Sequence, residues 1–436
     1  MSILKQVLSE AFASAFRKQP ASSPSGRLAE PQKAARISGA ADPRPTHDGL
    51  RVVILNWNRG ENDPFTVVNN TLKQHFRACG KNVEIIEITE SDWPHRLAHG
   101  GVEFAVTWQG LGSTTKNARG ESIWDNFKIP LICIHGDHPS HMPLNHQLES
   151  RYCFHLYTNA DFARYSNRHF RRQRGASVID IPQLHREPRL DRPTGEYFVV
   201  AKNVDDPVTT ESSWRQRLDP QLFDAFMRAA ETLKSRITRE SYVETHDVLD
   251  ELIAQHGVHA LRPETSPVAY HEYHSELEHY LHSYKTIAAV TAARAFPLRI
   301  YGRGWERVAR DSPKHHLFEP GRNMANSQGL FYSRFGIIDV SPSKMLHDRT
   351  RRALVNGTGF LSSANLEDRL ANIGRFSSLF FSFKPGELPE RCAAVLRDPD
   401  QHMALAREFS DLYHATFHFR DFVNRIDQLA KLAGGS

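Results

Sequence analysis

The sequence predicts an α/β protein made of two Rossmann-like lobes in tandem, and three observations lead there. Short continuous apolar runs, many of them β-branched, alternate with helical patterns along the chain. Such runs mark parallel strands buried on both faces by crossover helices. A Pro- and charge-rich stretch at 183–195, QLHREPRLDRPTG, divides the runs into two series. The length of 436 residues, with 40% apolar content, also exceeds one ordinary core and fits two domains.

The elements follow in order. Residues 1–18 place Ile3, Leu4, Val7, Leu8, Ala11, Phe12 and Phe16 on one helical face, opposite Lys5, Ser9, Glu10 and Arg17. This amphipathic helix either docks on the body or offers a membrane-surface or partner contact. Residues 19–49, rich in Pro, Ser, Ala, Gly and charge, read as a flexible linker. The first lobe, 50–185, opens with the strand RVVILNW, then a helix over Thr66–Arg77. The strands NVEIIEI, EFAVTW, IPLICIH and CFHLYT come next, then a helix capped by Asn159, and SVIDIP closes the lobe. The second lobe, 196–400, starts with EYFVVAKN and continues through a long helical insertion, about 219–295, broken near Gly257 and Pro263. PLRIYG, FGIIDVSP, TGFLSS and SSLFFSF are its later strands. Helical patterns lie between them around Met324–Arg334, Asp348–Asn356 and Leu366–Ile373. Helices over 401–436 are expected to pack back across the lobes.

Composition narrows the function. The net charge of +5 is small, and the one strongly basic run is RHFRRQR, Arg168–Arg174. A dedicated nucleic-acid binder would cluster its cations, so no nucleic-acid partner is expected, and the run reads as a solvated helix end or an anion contact. The four cysteines, Cys79, Cys133, Cys153 and Cys392, lack C-x-x-C spacing. Neither a disulfide scaffold nor a zinc ribbon is expected. Cys133 and Cys153 sit in apolar strands and read as small buried hydrophobes. No run is long and apolar enough to span a bilayer, and no leader pattern is visible. A cytoplasmic location, with membrane association through residues 1–18 as an option, is the expectation.

Ligands of open α/β sheets bind beyond the carboxyl ends of the strands, and three strand ends carry chemistry. The first is IYGRGWE, Ile300–Glu306, where a strand runs into a Gly-x-Gly turn. Gly302 and Gly304 permit close approach to the main chain, and Arg303 offers a bidentate contact to phosphate; the competing reading is an ordinary tight turn. The second is the segment Ser341–Ser363, where FGIIDVSP meets a helix. There Asp348 is read as the N-cap, with His347 and Arg349 beside it and Gly357 ending the helix. A helix N-terminus is a ready site for a diphosphate. The third is Lys202, at the end of EYFVVAK, placed to neutralise a leaving diphosphate or to be a plain surface lysine.

Tyr301, Gly302, Gly304, Trp305, His347, Asp348, Arg349, Ala353 and Gly357 match "YGxGW" followed by "HDRxxxAxxxG". With the tandem lobes, this resembles the donor lobe of GT-B glycosyltransferases, most closely the group with spore-maturation CgeB-like proteins. The motifs cover 297–363, and the architectural likeness covers about 50–432. The resemblance implies two lobes facing a cleft, a nucleotide diphosphate sugar as donor substrate with no cofactor or essential metal, and an unidentified glycan, lipid-linked or protein acceptor on the first lobe. Gly302, Arg303, Gly304, Trp305, His347, Asp348, Arg349 and Lys202 are then the donor-binding candidates. One position departs from the pattern. Many retaining GT-B enzymes carry a ribose-binding Glu just before "ALxxG", and here that position is Arg352.

In the first lobe, IPLICIHGDHPSHMP brings His135, Asp137, His138 and His141 to a strand end. His138 or Asp137 is the candidate base, since histidine titrates near neutrality and a carboxylate can orient it; zinc binding through these histidines is the lesser alternative, as no fourth ligand is obvious. Asn56, Asn58 and Arg59, and Trp108, Gln109 and Gly110, end neighbouring strands and are candidate substrate contacts. Two patterns read as decoys. HEYHSELEHYLH, His271–His282, lacks H-E-x-x-H spacing and reads as a solvated helical face. Asp398-Pro399-Asp400 reads as a turn and N-cap. A nucleotide-sugar epimerase and a catalytically degenerate binding or scaffold protein remain the alternatives to a transferase.

Overall fold

A computed structural model describes residues 49–58, 64–146, 150–170, 175–182, 193–240, 243–256, 267–321, 331–341, 346–363 and 374–434. The expected helix at 1–18, the linker before 49, Arg59, most of the interdomain stretch, most of the pattern at 324–334 and the pattern at 366–373 lie outside these residues.

Two parallel sheets form, consistent with two Rossmann-like lobes. The first comprises β1 (Arg51–Asn56), β2 (Asn82–Glu87), β3 (Val102–Trp108), β4 (Leu131–His135), β5 (Cys153–Tyr157) and β6 (Ser177–Val178), in the order β2-β1-β3-β4-β5-β6. Every residue of β4 and β5 is buried, as expected of strands covered on both faces. The second sheet has β7 (Phe198–Ala201), β8 (Leu298–Tyr301), β9 (Leu317–Glu319), β10 (Ile337–Asp339) and β11 (Phe360–Ser362), ordered β11-β10-β7-β8-β9. The strand order reverses between β1 and β3 in the first sheet and between β7 and β10 in the second. A crevice opens at such switch points.

Between β7 and β8 the chain makes α5 (Pro207–Arg217), α6 (Pro220–Ile237), α7 (Thr245–His256) and α8 (Pro267–Ala292), after α1 (Pro64–Ala78), α2 (Trp93–Ala98), α3 (Ile123–Phe127) and α4 (Ala160–His169) in the first lobe. α5 was not expected, although Pro207 after Asp206 is a good first helical residue. The insertion has its own core of Trp214, Phe226, Leu233, Tyr270, Leu277 and Tyr280, and Tyr165 and Phe170 of the first lobe join it. Farther along α8, Ala289 and Val290 pack into the second lobe. One long helix thus touches both lobes.

After α9 (Glu306–Arg310) and α10 (Asp348–Val355), the chain ends in α11 (Glu387–Arg397), α12 (Pro399–Thr416) and α13 (Phe419–Gly434). Ala406, Phe409 and Tyr413 of α12 complete the second-lobe core. Phe422, Val423 and Ile426 of α13 complete that of the first lobe. Lys81 binds both Glu103 (2.8 Å) and Asp427, tying α13 down. Among the described residues no helix is long and apolar enough to cross a membrane.

Three expectations change. SSLFFSF is not a strand. Residues Gly374–Leu379 form a 3₁₀ turn, and only Phe380 bridges to Ser362. The continuous apolar run arises because Phe376, Leu379 and Phe380 face one core while Phe381 faces another. The N-cap of α10 is His347, not Asp348; its side chain accepts from the Arg349 N–H. The His271–His282 face is not solvated, since His271 and His274 are fully buried. They are covered because α8 docks on a polar patch of the first lobe. Asp398 does cap α12, accepting from Gln401 N at 2.9 Å.

Candidate functional site

The Gly-x-Gly turn packs against protein. Gly302 has φ +142° and Gly304 φ +84°, both in the region that favours glycine. A Cβ on Gly302 would lie 2.1 Å from the Lys202 carbonyl oxygen, and one on Gly304 1.7 Å from that of Val204. Trp305 Nε1 donates to the Lys202 carbonyl at 2.8 Å, and the Arg303 N–H donates to Asn203 Oδ1 at 3.0 Å. The space that these glycines were expected to leave for a ligand is filled by the neighbouring loop. The motif therefore fastens the loop after β7, with the buried Trp305 as its anchor, while the Arg303 side chain is exposed.

That fastening aims Lys202 inward. Its Nζ meets the imidazole of His282 on α8, closest at Nε2 and 3.0 Å from Nδ1. His282 Nε2 lies 3.3 Å from the Val340 carbonyl. Lys285, one turn on, donates to the Ser341 carbonyl at 3.2 Å. Arg349 Nη1 is 3.1 Å from His347 Nδ1 and 4.0 Å from Asp339 Oδ1. Asp339 is buried and also accepts from the Thr350 hydroxyl at 2.7 Å. So β7, β10, α8 and the start of α10 bring Lys202, His282, Lys285, His347 and Arg349 together at the second switch point, with Asp339 the acidic group bonded among them.

Burial is the first influence on the ionisable groups of this cluster, and neighbouring cations add to it. Burial drives Lys202 well below the ordinary lysine range; Arg349 and Lys285 push the same way and Asp339 opposes them. Burial lowers Lys285 to about 8, against the pull of Glu278. His282 and His347 are held well down, first by burial and then by the neighbouring cations. An anion placed here would relieve the mutual repulsion and meet the positive dipole end of α10. Asp348 is exposed in the first turn. Arg352, at the position where a ribose-binding carboxylate was sought, is buried with its guanidinium 4.8 Å from the Phe331 ring centroid, and burial lowers it to about 10.

The first lobe presents Asp137 and Gln109. Gln109 has φ +53°, uncommon for a residue with a side chain. Its amide nitrogen donates to Asp137 Oδ2 at 2.9 Å, and its carbonyl accepts from Asn145 Nδ2 at 2.8 Å. Asp137 reaches solvent, yet protein walls strip much of its hydration and raise its carboxyl above the ordinary value. His138, the other candidate base, is turned inward. Its ring is buried and stacked on His274 at 4.4 Å, edge-on to Phe162 and Tyr165. His138 Nδ1 is 2.7 Å from the Ser140 hydroxyl, which is 3.0 Å from His274 Nδ1. His141 stacks on His279 at 4.6 Å. These histidines join the loop after β4 to α8. Asn56 is also occupied, donating to Glu87 (2.6 Å) and to Thr66 and accepting from Asn69.

His274 and Lys285 are eleven residues apart on α8, about 16 Å along the axis. One helix therefore meets the first-lobe loop at 138–141 and then supplies His282 and Lys285 to the basic cluster. Sequence reading missed both residues and Asp339. The available signal was the stripe His271, His274, Glu278, His282, Lys285 at helical spacing, which continues past the motif-like histidine pair.

No family model matches the chain, and no curated protein matches it.

Proposed function

We propose that this chain is a glycosyltransferase of the two-lobed GT-B kind. It would transfer a sugar from a nucleotide diphosphate sugar to an acceptor hydroxyl, without an essential metal at the donor and in the cytoplasm. The observation that carries this reading is the cluster of Lys202, His282, Lys285, His347 and Arg349 at the switch point of the second sheet and the start of α10. Its charge and its place suit a diphosphate, the part of the donor that gains charge as the sugar departs. The Arg349 guanidinium, and Lys285 when protonated, would favour the departing group over the intact donor. Asp137, with its raised carboxyl pKa and its Gln109 partner, supports the role of acceptor base. The attacking hydroxyl would form its bond to the anomeric carbon, the bond from that carbon to the diphosphate would break, and the proton would pass to Asp137.

Calorimetric titration in EDTA tests the donor site. Uridine and guanosine diphosphates and their sugars are the probes, with and without hydroxyl acceptors in a parallel turnover assay. Binding of at least one diphosphate, and donor consumption that rises with acceptor, is the expected outcome. Interconversion of the sugar without acceptor would make the chain an epimerase. Binding without turnover would make it a scaffold. Absence of diphosphate binding would remove the basis of the reading.

A further inference from the structure

The first lobe holds a second concentration of ligand-type side chains, away from the basic cluster. Cys133 and His135 are two residues apart on β4, so they point to the same face of the sheet. His155 on β5 is the register partner of Cys133. Adjacent strands lie about 4.8 Å apart, so all three side chains leave one patch of sheet. The three are buried, in strands whose other residues are Leu, Ile, Phe, Cys and Tyr. One ligand atom from each residue, a thiol sulfur and two imidazole nitrogens, lies within 4.8 Å of the other two. His135 Nε2 and His155 Nδ1 are 2.9 Å apart.

We propose that Cys133, His135 and His155 bind a zinc ion. One thiolate and two imidazoles suit zinc and exclude magnesium or calcium, which take oxygen ligands. A tetrahedral ion with bonds of about 2.0 Å to nitrogen and 2.3 Å to sulfur holds its ligand atoms roughly 3.3–3.7 Å apart. The 2.9 Å between His135 Nε2 and His155 Nδ1 must open slightly, a change within reach of side-chain rotation. Binding displaces the thiol proton of Cys133 to solvent, leaving a thiolate on the metal. His146 lies beside the group, its ring 4.3 Å from that of His135. Its Nδ1 bonds the Tyr157 hydroxyl at 2.5 Å, and that hydroxyl bonds Ser166 at 2.7 Å. This chain positions His146 next to the ion, for the fourth place in the tetrahedron or for a bound water.

His135 directly precedes Gly136 and Asp137. The ion would clamp β4 to β5 where the loop carrying Asp137, His138 and His141 begins. Its role is to hold that loop, so it is independent of the donor site and of whether the protein transfers sugar.

The test uses the full chain, purified without a metal-affinity tag. Bound metal is measured by mass spectrometry, and the stripped protein is titrated with cobalt(II) as a spectroscopic probe. About one zinc per chain, or about one cobalt with a thiolate-to-cobalt charge-transfer band, is expected. Cys133→Ser should abolish the band and His155→Gln should weaken metal binding at least tenfold, whereas Cys79→Ser should change neither. Wild-type protein with no thiolate band at saturating cobalt overturns the proposal whatever the variants do, and so does an undiminished band in Cys133→Ser.

Discussion

The buried histidines make stability depend on pH in a direction the structure fixes, and His271 is the place to measure it. Its ring is fully buried, stacked on Phe170 at 4.5 Å, with Nδ1 2.7 Å from the Tyr165 hydroxyl. Burial lowers it from 6.5 to about 4. Between these values the unfolded chain binds a proton that the folded chain refuses, so stability rises with pH across the window. The contribution is fully present above 6.5 and is lost as pH falls toward 4. At about 1.36 kcal/mol per pH unit, His271 alone removes roughly 2 kcal/mol between pH 7 and pH 5. His402, buried against Gly359 and also lowered to about 4, adds a similar amount. His138 and His274 act in the same direction. His271→Asn keeps an acceptor for Tyr165 and removes the titration. Melting curves of both proteins at pH 7 and pH 5 decide the matter. Each kcal/mol corresponds to roughly 2–4 °C in a cooperative unit of 150–250 residues, so the wild type should lose roughly 4–8 °C more than the variant. Equal losses in the two proteins, or a wild type that gains stability on acidification, would show that His271 is not held neutral as described.

Four further outcomes are expected. Gly304→Ala places a methyl 1.7 Å from the Val204 carbonyl oxygen at φ +84°. It should cost roughly 2–4 kcal/mol by forcing the two loops apart; a variant that melts like the wild type would contradict the packing role. Lys285→Met removes a buried cation that burial already lowers to about 8. It should raise the melting temperature at neutral pH while weakening nucleoside diphosphate binding, and calorimetry that shows affinity unchanged counts against the anion site. Arg349→Ala should weaken the same binding ten- to a hundredfold, the worth of a charge-assisted hydrogen bond of roughly 1.5–3 kcal/mol, with partial recovery in Arg349→Lys; if Arg349 serves only Asp339, the melting point falls and affinity holds. Truncation after Thr416 removes Phe422, Val423 and Ile426 from the first-lobe core. Limited proteolysis should then cut the first lobe rapidly, and an unchanged digestion pattern would show that α13 is dispensable.

The strands β1–β5, β7, β8, β10 and β11 were legible because each is a short apolar run ended by a polar turn, and burial on both faces leaves that pattern whatever the rest of the chain does. The Asn159 and Asp398 caps were legible for a similarly local reason, since the side chain bonds an N–H two or three residues ahead. The strand ends bearing Lys202, Asp137 and Arg349 followed from the strands themselves. What the sequence could not decide was contact between distant segments. Gly302 and Gly304 read as room for a ligand, and only the fold revealed the Lys202–Val204 backbone already there. His271 and His274 read as solvated because histidine is polar. They are buried because Ser140 and the rings of His138 and Tyr165, more than a hundred residues away in sequence, give them polar and aromatic partners. The same docking carries His282 and Lys285 to β7 and β10. A helical stripe states which residues share a face, and tertiary packing alone determines what that face meets.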